Sequence, residues 1–464
     1  MTHDFHPTVL REYDIRGIIG ETLGAEDARA IGRGFGSMLA EAGGTKVAVG
    51  YDGRVSSPML EHALVEGLTA SGMDAVRIGM SATPMLYYAE ASAADVDGGI
   101  QITGSHNPAN YNGFKMVFQG RPFFGADIQE LGRRGAAGEW VDGAGAVEER
   151  DVIDAYIDRM LEALDGLDPA ALAGLKVGWD AGNGAAGPAL EKLAARLPGE
   201  HHLLYTEVDG NFPNHHPDPT VEANLEDLRA LVAEKSLDFG IAFDGDGDRI
   251  GAIDGEGRVI WGDQLLMIYA EDLLARTKGV TIIADVKASR ALFDHVADHG
   301  GKPLMWKTGH SHMKAKIKET KAAIAGEFSG HICFGERWYG FDDALYTAVR
   351  LLELLSATEQ NVDEVFAKYP TTFTTPELKI LTTETHKFWV MDQLSANADF
   401  GNGRLTLIDG IRVDFEDGWG LIRPSNTSPV LSLRFEADTQ EALDRIQDEF
   451  QAQLANIDDT LKFR

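Results

Sequence analysis

Short apolar runs that end in an acidic residue recur along this chain. Lys46-Val47-Ala48-Val49-Gly50-Tyr51-Asp52, Lys176-Val177-Gly178-Trp179-Asp180 and Thr281-Ile282-Ile283-Ala284-Asp285 each read as a buried strand closed by an acidic turn. Each leads into a segment with helical character. Residues 24 to 42, rich in Ala and Leu, predict another helix, and one more is expected from Pro58. The three copies of strand, acidic turn and helix stand more than 100 residues apart. That spacing is too long for a solenoid and predicts three similar α/β domains. Strands alternating with helices imply mixed, mainly parallel sheets.

From about residue 371 the pattern changes to short Thr- and Val-rich strands. Trp419-Gly420-Leu421-Ile422-Arg423 and Val430-Leu431-Ser432-Leu433-Arg434-Phe435 flank a Pro-Ser-Asn loop. A last helix carries Leu443, Ile446, Phe450, Leu454 and Ile457 on one face, with Asp438 and Glu441 as candidate caps. The tail is therefore a smaller α+β domain. The predicted division is 1–150, 151–257, 258–370 and 371–464, and the acidic, Gly/Ala-rich run 135–149 reads as a linker.

Composition narrows the function. The chain has 464 residues, and its hydrophobic share of 44% is ample for real cores. A net charge of −31 argues against nucleic acid and anionic membranes as partners. An anionic substrate would need a local basic pocket. The single Cys333 excludes a disulfide framework and a cysteine-rich metal site. The N-terminus lacks a basic and apolar leader pattern, and no apolar run reaches ~18 residues. The expectation is a soluble cytoplasmic protein.

Four loops carry chemistry. The apolar lead-in Val96 to Ile100 breaks into Gln101-Ile102-Thr103-Gly104-Ser105-His106-Asn107-Pro108. Ser105 thus sits on a tight turn at a strand end, with His106 as a charge partner; a plain capping loop is the alternative. Asp52-Gly53-Arg54 reads equally as the fixer of a turn or as a surface turn.

Asp244-Gly245-Asp246-Gly247-Asp248-Arg249 follows an apolar strand, Phe239 to Phe243. Alternating Asp residues can converge three carboxylates on a hard cation, and the glycines permit the tight backbone. An EF-hand fails, because its sixth position would be Arg249 and its twelfth Gly255. Mg²⁺ suits an all-oxygen site. Three aspartates, a phosphate on Ser105 and a phosphosugar leave an excess of negative charge even with Mg²⁺ present. Arg249 and Lys115 are the candidate counter-cations, with Asn112-Gly113 predicted as a hairpin turn just before Lys115.

Gly326-Glu327-Phe328-Ser329-Gly330-His331 alternates a carboxylate and a hydroxyl, which suits sugar hydroxyls. His331 could move a proton, as could His310 in Thr308-Gly309-His310. Arg423-Pro424-Ser425-Asn426-Thr427-Ser428-Pro429 offers an arginine, hydroxyls and backbone N–H groups to an anion. A competing motif, Gly182-Asn183-Gly184-Ala185-Ala186-Gly187 with Glu207 further on, satisfies a dinucleotide fingerprint and supports an NAD-dependent oxidoreductase as the alternative.

Taken together, these loops resemble the α-D-phosphohexomutase superfamily over the whole chain. Thr103 to Pro108 matches its phosphoserine loop and Asp244 to Arg249 its metal loop. Gly326 to His331 matches its sugar loop, with Phe328 where Met is common. Ser425-Asn426-Thr427, Met305 to His310 and Glu336 to Gly340 look like the bacterial phosphomannomutase/phosphoglucomutase branch; phosphoglucosamine mutases more often carry Ser-Gly-Thr. The resemblance implies four domains around a central cleft. It also implies reversible phosphate transfer between the 1- and 6-positions of a hexose, through phosphorylated Ser105 and a bisphosphorylated sugar.

In that scheme Mg²⁺ rests on Asp244, Asp246, Asp248 and the Ser105 phosphate, and glucose 1,6-bisphosphate is an activator. Arg249, Lys115 and His106 stabilise charge, while His310, His331, Lys115 or Arg16 handle protons. Tyr13 and Lys287 stand at substrate-contacting positions, and Glu327 and Ser329 read ring hydroxyls. Arg423, Ser425, Asn426 and Thr427 hold the phosphate that is not reacting. The expected partner is a hexose phosphate, mannose or glucose, acted on by a monomer. A sugar-phosphate sensor or a hydrolase would instead show binding without exchange, or release of inorganic phosphate.

Overall fold

A computed structural model describes residues 2–358, 360, 362–369, 372–426 and 428–463. Three of its sheets share one plan. In the first, strand Lys46–Tyr51 lies parallel to Asp74–Met80 on one side and to Gly98–Ile102 on the other. Gly98–Ile102 then turns back antiparallel as Tyr111–Phe118. In the second, Lys176–Asp180 lies between Glu200–Leu204 and Phe239–Phe243, and the latter turns back as Ile250–Asp254. In the third, Thr281–Asp285 lies between Lys302–Trp306 and Ile324–Gly326, which turns back as Ile332–Phe334. The central strands are the three apolar runs expected from the sequence. They carry near-continuous apolar side chains because helices cover the sheets.

The shared plan also places the chemistry. The turn between the last parallel strand and its antiparallel return is the Ser105 loop in the first sheet, the Asp244–Arg249 loop in the second and the Glu327–His331 loop in the third. The C-terminal sheet differs and is antiparallel throughout, in the order Phe373–Thr374, Val430–Ala437, Gly418–Pro424, Ile411–Asp414, Arg404–Thr406. Strand Leu378–Leu381 also pairs with Val430–Ala437. One apolar core runs through the second and third sheets and takes in helix Thr83–Ser92 with Ala48, Val76, Ile78 and Val117 of the first. The rest of the first sheet and the C-terminal sheet have cores of their own.

Three local expectations are corrected. Asn112-Gly113 is not a turn: both residues lie inside strand Tyr111–Phe118, paired with Gly17 and Arg16. A Cβ on Gly113 would stand 2.1 Å from the Ile15 carbonyl, so the glycine serves close strand approach. The run 135–149 is tied down rather than free, since Gly143 and Gly145 donate to the carbonyls of Ala70 and Thr69 and Val147–Glu149 joins the first sheet. Helix Gln440–Ala455 is capped by Thr439, whose hydroxyl accepts from the Ala442 N–H, and not by Asp438 or Glu441. It buries Leu443, Ile446, Phe450 and Leu454, while Ile457 packs just beyond its end.

Candidate active site

Ser105 stands at the meeting of the first two sheets. Its backbone is left-handed, with φ of 49°, a conformation that costs a non-glycine residue about 1–2 kcal/mol. Thr103 accepts from the Ser105 N–H, and Asp52 accepts from the Gly104 N–H. Arg54 fixes the loop: its guanidinium donates to the carbonyls of Ser105, Asn107, Pro108 and Tyr111, and its Nε to Asp52. The Ser105 hydroxyl donates to Asp244 Oδ2 at 2.9 Å and lies 3.2 Å from His106 Nδ1. The two loops pack backbone to backbone, because a Cβ on Gly245 would stand 2.5 Å from the Ser105 carbonyl oxygen. His216 of the second domain clamps the His106 carbonyl.

Asp244, Asp246 and Asp248 are fully buried, with carboxylate oxygens within 4.8 Å of one another. Burial and the neighbouring carboxylates push Asp244 well above the usual range and raise Asp248. Against burial, the Lys115 ammonium holds Asp246 low. Lys115 bridges Asp246 at 2.7 Å and Asp248 at 2.5 Å, and Thr83 donates to Asp246. This leaves Oδ1 of Asp246 and Oδ1 of Asp248 buried with no hydrogen-bond partner among the described residues. Buried unpaired carboxylate oxygens are costly, and a divalent cation is the group that satisfies them. The donor set therefore fits a hard metal ion.

The Arg249 N–H donates to Asp244 Oδ1 at 3.2 Å, and its Nε donates to His331 Nε2 at 3.0 Å. His331 Nδ1 then carries the proton and lies 2.9 Å from Asp342 Oδ2, out of line for a straight hydrogen bond. His310 Nδ1 accepts from Lys314 at 2.9 Å, and Lys314 also pairs with Asp342. Burial, aided by Lys314, keeps His310 neutral, and burial with Arg249 does the same for His106. Glu327 accepts from the Gly309 N–H, faces the Ser329 hydroxyl at 3.4 Å and is raised by burial.

A cavity of about 680 Å³ opens over these groups. Tyr13, Arg16, Ser105, His106 and Lys115 line it from the first domain and Arg249 from the second. Lys287, His310, Glu327, Ser329 and His331 line it from the third, and Arg423, Ser425 and Asn426 from the fourth. The three aspartates lie beneath Ser105, and Thr427 is outside the described residues. Tyr13 ties three walls together: its hydroxyl donates to the Thr308 carbonyl at 2.8 Å and accepts from Asn426 and Arg423. Arg423 also forks onto Asp409 through Nε and Nη2. Arg16 pairs with Asp14, while its Nε is buried without a partner among the described residues.

Sequence reasoning missed Asp342, Lys314, Asp409, Thr83 and Glu377, the last 3.5 Å from Lys287. Only His310 and Lys314, four apart on one helix, left a trace in the sequence. The glycine turn 182–187 is filled from the other side. Gly184 abuts Gly245, and the Ala185 N–H donates to the Gly245 carbonyl, so the groove a dinucleotide would need is occupied by the metal loop.

Four family models match in order: phosphoglucomutase/phosphomannomutase alpha/beta/alpha domain I at residues 7–140, domain II at 154–257, domain III at 261–373 and the C-terminal domain at 377–453. A phosphomannomutase/phosphoglucomutase of Pseudomonas putida is 47% identical over 98% of this chain and 97% of its own length. A phosphoglucomutase of Neisseria gonorrhoeae is 45% identical over 96% of each. The crystal structure of a phosphoglucomutase/phosphomannomutase family protein from Burkholderia thailandensis superposes with a TM-score of 0.92, at 45% identity and 99% coverage of both chains.

Proposed function

The chain belongs to the phosphoglucomutase/phosphomannomutase family, and we propose that it shuttles phosphate between the 1- and 6-positions of glucose or mannose phosphate by way of Ser105. It is a phosphohexomutase, an isomerase. The observation that carries the route is the 2.9 Å contact between the Ser105 hydroxyl and the aspartate loop, at the floor of a cavity reached by all four domains. Phosphorylated Ser105 gives its phosphate to the free sugar hydroxyl. The bond from serine oxygen to phosphorus breaks as the bond from sugar oxygen forms, the sugar hydroxyl gives up its proton and the freed serine oxygen regains one, leaving a bisphosphorylated hexose. That sugar turns end for end in the cleft, and Ser105 takes the other phosphate back.

Asp244, Asp246 and Asp248 would hold Mg²⁺, which would supply Lewis-acid stabilisation of the charge on the transferring group. Phosphoryl transfer asks for positioning and charge compensation, and the side chains divide that work. Lys115 stays a cation, because its aspartate neighbours outweigh burial and raise its pKa. His331 orients Arg249, His106 sits against the serine oxygen, and His310, its Nδ1 taken by Lys314, offers an N–H to the sugar. Arg16 adds positive charge at the cavity wall. Glu327 and Ser329 take ring hydroxyls, and Lys287, Tyr13, Arg423, Ser425, Asn426 and Thr427 take the remote phosphate. One chain supplies every wall of this cavity, which supports a working monomer, and sugar-phosphate chemistry with a single cysteine suits the cytoplasm.

Ser105→Ala is expected to abolish turnover while hexose 1-phosphate still binds, measured by coupled assay and calorimetry. In the wild type, catalytic glucose 1,6-bisphosphate should restart dephosphorylated enzyme, with the added phosphate found on Ser105 by mass spectrometry. Full turnover by the alanine variant would refute the route.

A further inference from the structure

Outside the cleft, two helices bring together three groups that the mutase chemistry leaves unused. Glu271 lies on helix Gly262–Arg276, His295 on helix Arg290–Asp298, and His299 caps the end of the latter. Their potential ligand atoms lie within 4.8 Å of one another. The two histidines are four residues apart, so one helix face presents both rings, with centroids 4.1 Å apart. His295 Nε2 is buried with no hydrogen-bond partner among the described residues and stands 3.4 Å from Glu271 Oε2. Donors around a four-coordinate ion at about 2.1 Å stand about 3.4 Å apart, so this pair already spans one edge of a tetrahedron.

The surroundings orient the same atoms. His299 donates its Nδ1–H to the His295 carbonyl at 2.8 Å, which leaves the lone pair on Nε2. Such an outer link is how metal-binding imidazoles are held in place. The Tyr369 hydroxyl donates to Glu271 Oε2 at 3.0 Å and fixes the carboxylate.

We propose that Glu271, His295 and His299 form a second metal site, which takes a borderline transition ion such as Zn²⁺ in preference to Mg²⁺. Two imidazoles and a carboxylate suit Zn²⁺ and leave a position for water, whereas Mg²⁺ demands oxygen ligands. Lys368 opposes the ion, because its ammonium pairs with Glu271. The site lies where helices of the third domain meet the passage to the C-terminal sheet, since Lys368 and Tyr369 closely precede Phe373–Thr374.

The test uses the full chain in excess Mg²⁺, which fills the aspartate loop. Co²⁺ should then give the visible bands of a four-coordinate, nitrogen-ligated ion, and Zn²⁺ should erase them. His295→Gln and His299→Gln should each weaken Zn²⁺ binding about tenfold or more, and Lys368→Gln should tighten it. Asp246→Asn should leave it unchanged. All three variants at the new site should keep wild-type mutase turnover. Absence of the Co²⁺ bands in the wild type, bands unchanged in both histidine variants, or Zn²⁺ uptake lost only with Asp246→Asn would each overturn the site.

Discussion

Arg54 spends all five of its side-chain N–H donors on the nucleophile loop and its aspartate support. Lysine has three donors and no planar fork, so Arg54→Lys strands buried carbonyls. We expect a loss of about 2–4 kcal/mol in denaturant unfolding. A shift of Ser105 by even 1 Å should also lower kcat by roughly 100-fold with little change in KM. A wild-type kcat in this variant would mean the loop stands without Arg54. In the sequence, Asp52-Gly53-Arg54 reads equally as a surface turn, because nothing local reveals that its partners lie more than 50 positions on. Ser105, Asp244 and Glu327 were legible because each sits in a compact, chemically specific loop. Asp342 and Asp409 were not, since each works through a side chain distant in the sequence, and Lys314 showed only as a four-residue spacing from His310.

Elements explain why those loops converge. Each chemistry-bearing turn closes the same parallel-to-antiparallel return, and a buried aspartate ends each central strand. Asp52 accepts from the Gly104 N–H and Asp285 from the Phe328 N–H, while Asp180 turns to Gly182 and His215. The recurrence of strand and acidic turn was visible in the sequence; the glycine pair at 112–113 misled, because its need for close strand approach is a tertiary fact. Helix Ala344–Ala357 starts against the metal loop, with the Ala344 N–H donating to the Gly247 carbonyl, and Asp343 caps it. Burial pushes Asp343 up to about 7, although Tyr346 and Tyr156 donate to it. A folded pKa above the unfolded value means a stabilising contribution that is complete below about pH 4 and lost as pH rises through 7. Wild-type stability should therefore fall between about pH 4 and 7, by up to about 4 kcal/mol from this group, and level off above that. Asp343→Asn, a permanent mimic of the protonated form, should flatten that decline in thermal melts; an unchanged slope would assign it to other groups.

At the scale of the whole molecule, four sheets share one cavity, and the Tyr13 hydroxyl joins the first, third and fourth of them. Arg423 reaches the cavity already paired with Asp409 and is raised by its acidic neighbours despite burial, so it stays charged across the working pH range. Arg423→Ala should raise KM by roughly 10- to 100-fold, the worth of hydrogen bonds to a charged group, and leave kcat within a few-fold. An unchanged KM in steady-state kinetics would remove it from phosphate binding. The contact between the first two chemical loops is backbone against backbone, Gly245 on Ser105, and the sugar-reading loop meets the metal-loop segment in the same way, Gly330 on Ile250, besides the link from His331 to Arg249. The cation site is thus gripped from two sides, by the loop of the nucleophile and by the loop that reads the sugar, and the second and third sheets share one core. Loosening the third sheet would therefore slacken the cation site as well, and the enzyme would lose speed and discrimination together.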